Sequence, residues 1–171
     1  GRIGRLTNFR NDTERPSINI KLTNTTYPGK NVKVRVNYRN TKQIKIQIYN
    51  SHKDLVKMAS RGYDNRSNAL SRGKLVEEKS FSLNNKNTFS FSDSLIEMNS
   101  LEPGLYECFV SVPGTKMMTS SIFSVSRLAS ADRNMLNGKK EIFVTDFLSG
   151  KPVSKAEIAY YGTSSNDLKL I

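Results

Sequence analysis

Cys108 and His52 carry most of the reactive chemistry in this chain, and each stands alone as the only residue of its type among 171. A thiolate nucleophile needs a base within hydrogen-bond reach, and His52 sits in a polar loop with no pattern that would bring it to Cys108. Cys108 lies in the run Tyr106-Glu107-Cys108-Phe109-Val110, on the parity shared by Tyr106, Val110 and Val112. That placement predicts a buried, inert thiol packed as a small hydrophobe. One cysteine can neither staple a domain nor supply a metal cluster. There is no metal-ligand spacing, no acid pair in a plausible cleft and no nucleophile-base pair. The sequence thus offers no catalytic, metal-ligating or cofactor-binding residue, and it predicts a protein that is not an enzyme. Met117-Met118 reads as edge packing rather than as a ligand pair.

Charge is the second feature with chemical content. Residues 1–74 hold 17 Lys and Arg against 4 Asp and Glu, whereas residues 75–171 hold 10 against 11. A basic half attracts nucleic acid, an anionic surface or an acidic partner. Basic residues are not interleaved with aromatics as in a single-strand binder, and no recognition-helix pattern appears. Nucleic acid is therefore not an expected partner; the basic charge reads first as a solvated face, and an anionic surface is the further partner such a half could meet. The alternative function is a surface adhesion or glycan-binding module that uses a basic face near Arg35, Arg39 and Lys45, together with the loop at 61–74.

The elements that would position these residues are strands. Hydrophobic residues make up 36% of the chain, which suits antiparallel sheets with one wet face. No apolar run is long enough to cross a bilayer as a helix. Ile18-Asn19-Ile20-Lys21-Leu22 alternates strictly. Tyr27-Pro28-Gly29-Lys30 predicts a type II turn, with Pro second and Gly third. Val32, Val34, Val36 and Tyr38 share one face of the next strand, and Ile44, Ile46 and Ile48 share one face of the strand after it. The two runs predict neighbouring antiparallel strands whose common wet face carries much of the basic charge.

Residues 51–74 form a long polar connection in which Leu55-Val56-Lys57-Met58 predicts a helical turn or an edge strand. Residues 75–83 and 88–98 follow as strands about the turn Asn84-Asn85-Lys86-Asn87. Ser94 to Met98 is expected as a short helical turn capped by Ser94. Pro103-Gly104 leads into the Cys108 strand, Pro113-Gly114-Thr115 turns it, and residues 117–126 return. The expected architecture is all-β: a seven-stranded antiparallel sandwich of fibronectin or immunoglobulin type.

The divisions expected are a linker or leader at 1–15, a sandwich at 16–127, a polar connector at 128–140, and the incomplete start of a second sandwich at 141–171. In the last of these, two strand-like runs flank Ser149-Gly150-Lys151-Pro152. There Gly accepts positive φ, and Pro stops pairing at its nitrogen. The chain opens Gly-Arg-Ile with no start Met or leader, so a piece of a longer protein is expected. Without a complete second domain, Phe143, Val144, Phe147, Val153, Ile158 and Tyr160 are expected to pack on the first domain, to pair with another copy, or to be partly disordered.

Gly104-x-Tyr106-x-Cys108 has the form of a tyrosine corner, but the second cysteine and the core Trp of an immunoglobulin domain are missing. A larger set of motifs occurs in order. It comprises Pro16-Ser17-Ile18, Tyr27-Pro28-Gly29-Lys30, Tyr38-Arg39-Asn40, Pro103-Gly104-Leu105-Tyr106, Phe123-Ser124-Val125-Ser126, and then Phe143-Val144-Thr145-Asp146 through Ser149-Gly150-Lys151-Pro152-Val153 to Ala156. Over most of residues 16–162 this set resembles the macroglobulin (MG) domains of bacterial alpha-2-macroglobulin-like proteins, particularly those of the Bacteroides group.

The resemblance implies a seven-stranded, fibronectin-like MG domain followed by the first strands of another. It implies a non-catalytic scaffold segment of an endopeptidase inhibitor that traps proteases at the bacterial cell envelope. Its partners would be the neighbouring macroglobulin domains of the same parent chain and, through the whole parent, the target protease. The localisation implied is the periplasm or a membrane-anchored lipoprotein of a Gram-negative bacterium. In many members a thioester captures the protease, and its motif needs a Cys followed shortly by Glu-Gln. Cys108 is followed by Phe109-Val110, so the motif is absent here.

Overall fold

The computed structural model describes residues 14–50, 73–84 and 89–158 in full, and the backbone of 161–164 and 167–170. Strands β1 (Ser17–Lys21), β3 (Asn31–Arg39) and β6 (Ser92–Ser100) form a three-stranded sheet in the order β1-β3-β6. Strands β2 (Thr25–Thr26), β4 (Gln43–Asn50), β5 (Lys74–Ser82), β7 (Gly104–Ser111) and β8 (Met118–Val125) form a five-stranded sheet in the order β2-β8-β7-β4-β5. All pairings are antiparallel except that of the two-residue β2, which lies parallel to β8. The fold is an all-β, immunoglobulin-like sandwich.

Strict alternation makes both inner faces. Val32, Val34, Val36 and Tyr38 of β3 are buried, together with Ile20, Ile96 and Met98 from its two neighbours. Against them lie Ile44, Ile46 and Ile48 of β4, Tyr106, Cys108 and Val110 of β7, and Phe123 and Val125 of β8. The three isoleucines of β4 are each fully inaccessible, and burying one such side chain contributes about 1.5–3 kcal/mol.

Two connections differ from the sequence expectation. β3 and β4 do not pair with each other: β3 pairs with β1 and β6, and β4 pairs with β5 and β7. The chain crosses between sheets at 40–42, where Asn40 adopts φ 52° and the buried Thr41 hydroxyl donates to the Arg39 carbonyl at 3.2 Å. Two adjacent alternating runs satisfy a hairpin and a sheet-to-sheet corner equally well, so the period alone does not separate them. Second, Ser94 to Met98 is extended and belongs to β6 rather than forming a helical turn. Ile96 and Met98 stand opposite Val34 and Val32, so an alternating apolar pair with a waiting partner strand overrides a weak capping signal.

The turn at 27–30 is as expected: the Lys30 amide donates to the Tyr27 carbonyl at 3.1 Å, and Gly29 has φ 79°. The tyrosine corner is also formed. Tyr106 Oη donates to the Glu102 carbonyl at 2.7 Å, and its ring stacks on Phe123 at 5.6 Å. Gly104 belongs to the same device, because a Cβ there would stand 3.2 Å from the Tyr106 ring.

Past β8, residues 128–134 are not a connector. They form β9 (Leu128–Asn134), which pairs in full register with β10 (Lys140–Asp146). Polar composition hid this strand: only Leu128, Ala129 and Ala131 of its seven residues are apolar, and all but Ala129 are exposed. Backbone strands β11 (Tyr161–Ser164) and β12 (Asp167–Leu170) pair with each other. The expected features at 1–13, His52, the 55–58 piece, Asn85 to Asn87 and Tyr160 lie outside the described residues.

Removing the Tyr106 hydroxyl deletes one hydrogen bond and leaves the packing intact. Tyr106→Phe is therefore expected to lose about 1 kcal/mol, read as a lower urea midpoint with unchanged slope.

Candidate functional site

Cys108 lies at the centre of the sandwich, fully inaccessible, between Ile48 on β4 and Ser121 on β8. Burial, reinforced by the neighbouring Glu107 carboxylate, pushes its thiol up to about 12. A thiol held that high stays protonated near neutrality and is a poor nucleophile there. Among the described residues no three His, Cys, Asp or Glu side chains are grouped to hold a metal ion. Glu107 points to the opposite face of β7 and is 3% exposed, with the Ser120 hydroxyl donating to its Oε1 at 2.9 Å. Phe109 shares that outer face and is equally covered, with Tyr49 edge-on at 5.7 Å.

The basic residues that the sequence places together are separated. Arg35 and Arg39 lie on β3, in the three-stranded sheet, whereas Lys45 lies on β4, in the five-stranded sheet. The outer faces of the two sheets point away from each other, so these side chains do not share one basic face. Lys45 is also compensated locally: it pairs with Glu78 at 2.8 Å, and the Gln47 amide donates to the same carboxylate at 2.7 Å. Those contacts, Lys45 first, hold the Glu78 carboxyl below its ordinary value. Arg39 lies over the Phe91 ring at 4.9 Å, a cation–π contact.

What the structure does assemble is the β9–β10 unit and the loop after it. Met135 and Lys139 close the hairpin, with the Met135 amide donating to the Lys139 carbonyl at 2.7 Å and Gly138 at φ 75°. Arg133 and Glu141 pair across it at 2.6 Å. At the far end Asp146 organises the turn. Its Oδ1 accepts from the Ser149 amide at 2.8 Å, the Ser149 hydroxyl at 2.8 Å and the Leu148 amide at 3.2 Å. These bonds, that from the Ser149 amide first, hold its carboxyl below the usual value. Gly150 takes φ 66°, and its amide returns to the Asp146 carbonyl at 2.9 Å. The strand expected after Pro152 is reduced to a single bridge, Thr145 to Pro152, and one bond from the Val153 amide to the Val144 carbonyl at 3.0 Å.

This unit touches the sandwich through Phe147. Its amide donates to the Arg127 carbonyl at 2.8 Å, and its ring stacks on Tyr27 at 6.4 Å. The Tyr27-Pro28-Gly29-Lys30 turn and the Asp146 turn thus meet, two motifs that sequence spacing keeps 120 residues apart. Packing on the first domain is realised at Phe147, while Phe143 and Ile158 are each about half exposed. A groove of about 480 Å³ is lined by Leu128, Ile142, Val144, Val153, Ala156 and Ile158, among others. The groove also carries Ser130, Glu157 and the Asp132–Lys140 ion pair, so the unit leaves open an apolar patch with a polar rim, a surface against which another element packs.

The chain is similar in fold to a crystal structure of native alpha-2-macroglobulin from Escherichia coli spanning domains MG0-NIE-MG1, at 18% identity and a TM-score of 0.66. That match covers 81% of this chain and 48% of the other, so the chain spans about half the length of the structure it matches. A second structure of the same Escherichia coli protein, spanning domains NIE-MG1, matches at 15% identity and a TM-score of 0.57, over 82% of this chain and 74% of that one. No family model and no curated protein sequence matches the chain. These likenesses define the fold, an immunoglobulin-like β-sandwich shared with those domains. At such identities they carry the fold and nothing finer.

Three outcomes test this geometry. The native fold keeps on Cys108 a proton that the unfolded chain loses near pH 9, so stability is expected to fall as pH rises from about 9 toward 12. A thiol reagent at pH 8 should leave the native chain unlabelled and label it in denaturant. Asp146→Ala should speed hydrogen exchange at the Ser149 amide by about fivefold, corresponding to roughly 1 kcal/mol. Exchange in the β3–β4 core should stay unchanged.

Proposed function

We propose that the chain is a non-catalytic scaffold segment of an alpha-2-macroglobulin-like endopeptidase inhibitor in the cell envelope of a Gram-negative bacterium. In this reading residues 16–127 are one macroglobulin-type module, and the chain from β9 onward opens the next. The observation that carries it is the open, polar-rimmed apolar patch formed by Leu128, Ile142, Val144, Val153 and Ile158, on a unit joined to a closed sandwich through Tyr27 and Phe147. A two-stranded ribbon is marginal by itself, and further strands of the same parent would complete it. The likeness of fold to segments of the Escherichia coli protein supports the same arrangement. Protease trapping belongs to the whole parent in this reading. The segment contributes rigidity: a fixed corner between modules and cores that do not rearrange when another part is cut.

The experiment compares the 171-residue chain with the full-length parent. An apolar dye should bind the 171-residue chain, bind more weakly after Val144→Ser, and find no such site on the parent. Incubated with an endopeptidase, the parent should retain it through size-exclusion chromatography with activity on a small peptide preserved. The 171-residue chain should retain none. Quantitative recovery of free protease from the parent sinks the trapping role, and dye binding to the parent at this face sinks the module arrangement.

A further inference from the structure

The outer face of the three-stranded sheet carries two cations that make no ion pair among the described residues, with the single carboxylate of Asp93 beside them. Register places Lys21 on β1 directly opposite Arg35 on β3, and Arg35 directly opposite Leu95 on β6. All three are exposed, Leu95 at 57%. Like charges directly opposite each other on a sheet are destabilising. Neither Lys21 nor Arg35 makes an ion pair within 4.0 Å among the described residues. Of the rows on either side, one is charge-balanced and the other carries the single negative charge of Asp93. Lys33 pairs with Glu97 at 3.6 Å, and the Asn37 amide donates to Asp93 at 3.2 Å. Lys21, Arg35, Asn19, Asn37 and Asp93 together line a depression of about 380 Å³.

We propose that this depression docks a carboxylate from the acidic surface of a protein partner. Arg35 and Lys21 donate to the carboxylate oxygens, the Asn19 and Asn37 amides offer further donors at the rim, and an apolar partner residue covers Leu95. The mixture of charges selects this class of partner. Lys21 and Arg35 exceed Asp93 by one charge in the depression, so a single carboxylate neutralises it, whereas a polyanionic chain or an anionic bilayer brings more negative charge than this face can match. A protein surface that presents one carboxylate beside an apolar residue matches that balance. The bare cation pair is then a cost held by the free sheet and relieved by the partner. This inference needs only the rows of β1, β3 and β6 and is independent of the scaffold reading.

The test uses the peptide acetyl-Glu-Leu-amide, titrated into the ¹⁵N-labelled 171-residue chain at low salt. Amide shifts confined to Lys21, Arg35, Leu95 and their neighbours are expected, and they should weaken in 0.5 M salt, since exposed charges are screened. Arg35→Glu converts the repulsive pair into an attractive one. It is expected to weaken peptide binding at least about tenfold while raising Tm by about 1–3 °C. Arg35→Gln is the control that removes the charge without reversing it and should give an intermediate loss. The proposal is overturned if the peptide produces no shifts at these rows, or if Arg35→Glu leaves binding unchanged or lowers Tm. It is also overturned if a heparin-derived tetrasaccharide or phosphatidylserine vesicles bind the same rows and the peptide does not.

Discussion

The single apolar layer between the two sheets is the constraint on which the other features of this molecule rest. Val32, Val34 and Val36 on one side and Ile44, Ile46 and Ile48 on the other are almost wholly inaccessible. β3 and β4 belong to different sheets, so these six inward positions meet across the core rather than side by side. The crossing is made at the corner 40–42, with Asn40 in the left-handed region. The same crossing sends the outward residues of the two strands in opposite directions. A chain that is strongly basic over its first half therefore does not acquire one basic face. Its charge is divided between two surfaces and neutralised on each to a different degree, with Lys45 paired to Glu78 on one and Arg35 set against Lys21 on the other.

The core also explains why the chain lacks chemistry at its most reactive residue. The alternation that makes Tyr106 and Val110 inward makes Cys108 inward too, and a sandwich interior offers no charge to stabilise a thiolate. The tyrosine corner performs a structural duty close by, tying the turn before β7 to the sheet by one short hydrogen bond. Reactivity and rigidity are competing uses of this strand, and the packing has selected rigidity.

The region after β8 shows how little apolar sequence a strand requires once backbone pairing is available. β9 carries Ser130, Asp132, Arg133 and Asn134 and still pairs residue for residue with β10. Cross-strand ions replace side-chain burial there, as Arg133 with Glu141 illustrates. At the end of the hairpin, three hydrogen bonds to one carboxylate oxygen do what a longer hairpin would otherwise do, because they set the exit direction of the chain before Gly150 and Pro152. Phe147 is turned toward Tyr27 by that geometry, which is how a local turn becomes a joint between a closed sandwich and an open ribbon.

The inward positions, the fold class, the type II turn at 27–30 and the tyrosine corner were legible in the residues themselves. Alternation of period two and the φ demands of Gly and Pro are local properties, and the backbone expresses them wherever the strand lies. The inert character of Cys108 follows from the same parity. Sheet membership was not legible, because an alternating strand reads the same whether its neighbour in sequence lies beside it or across the core. The extended state of Ser94 to Met98 and the existence of β9 depended on partner strands distant in sequence. The meeting of Lys21 with Arg35, and of Tyr27 with Phe147, depended on register and on chain crossings that no short window contains. The sequence by itself determined which side of each strand is apolar. The tertiary structure decided which strands are neighbours and therefore which charges face one another, because pairing is a long-range choice made by the whole core at once.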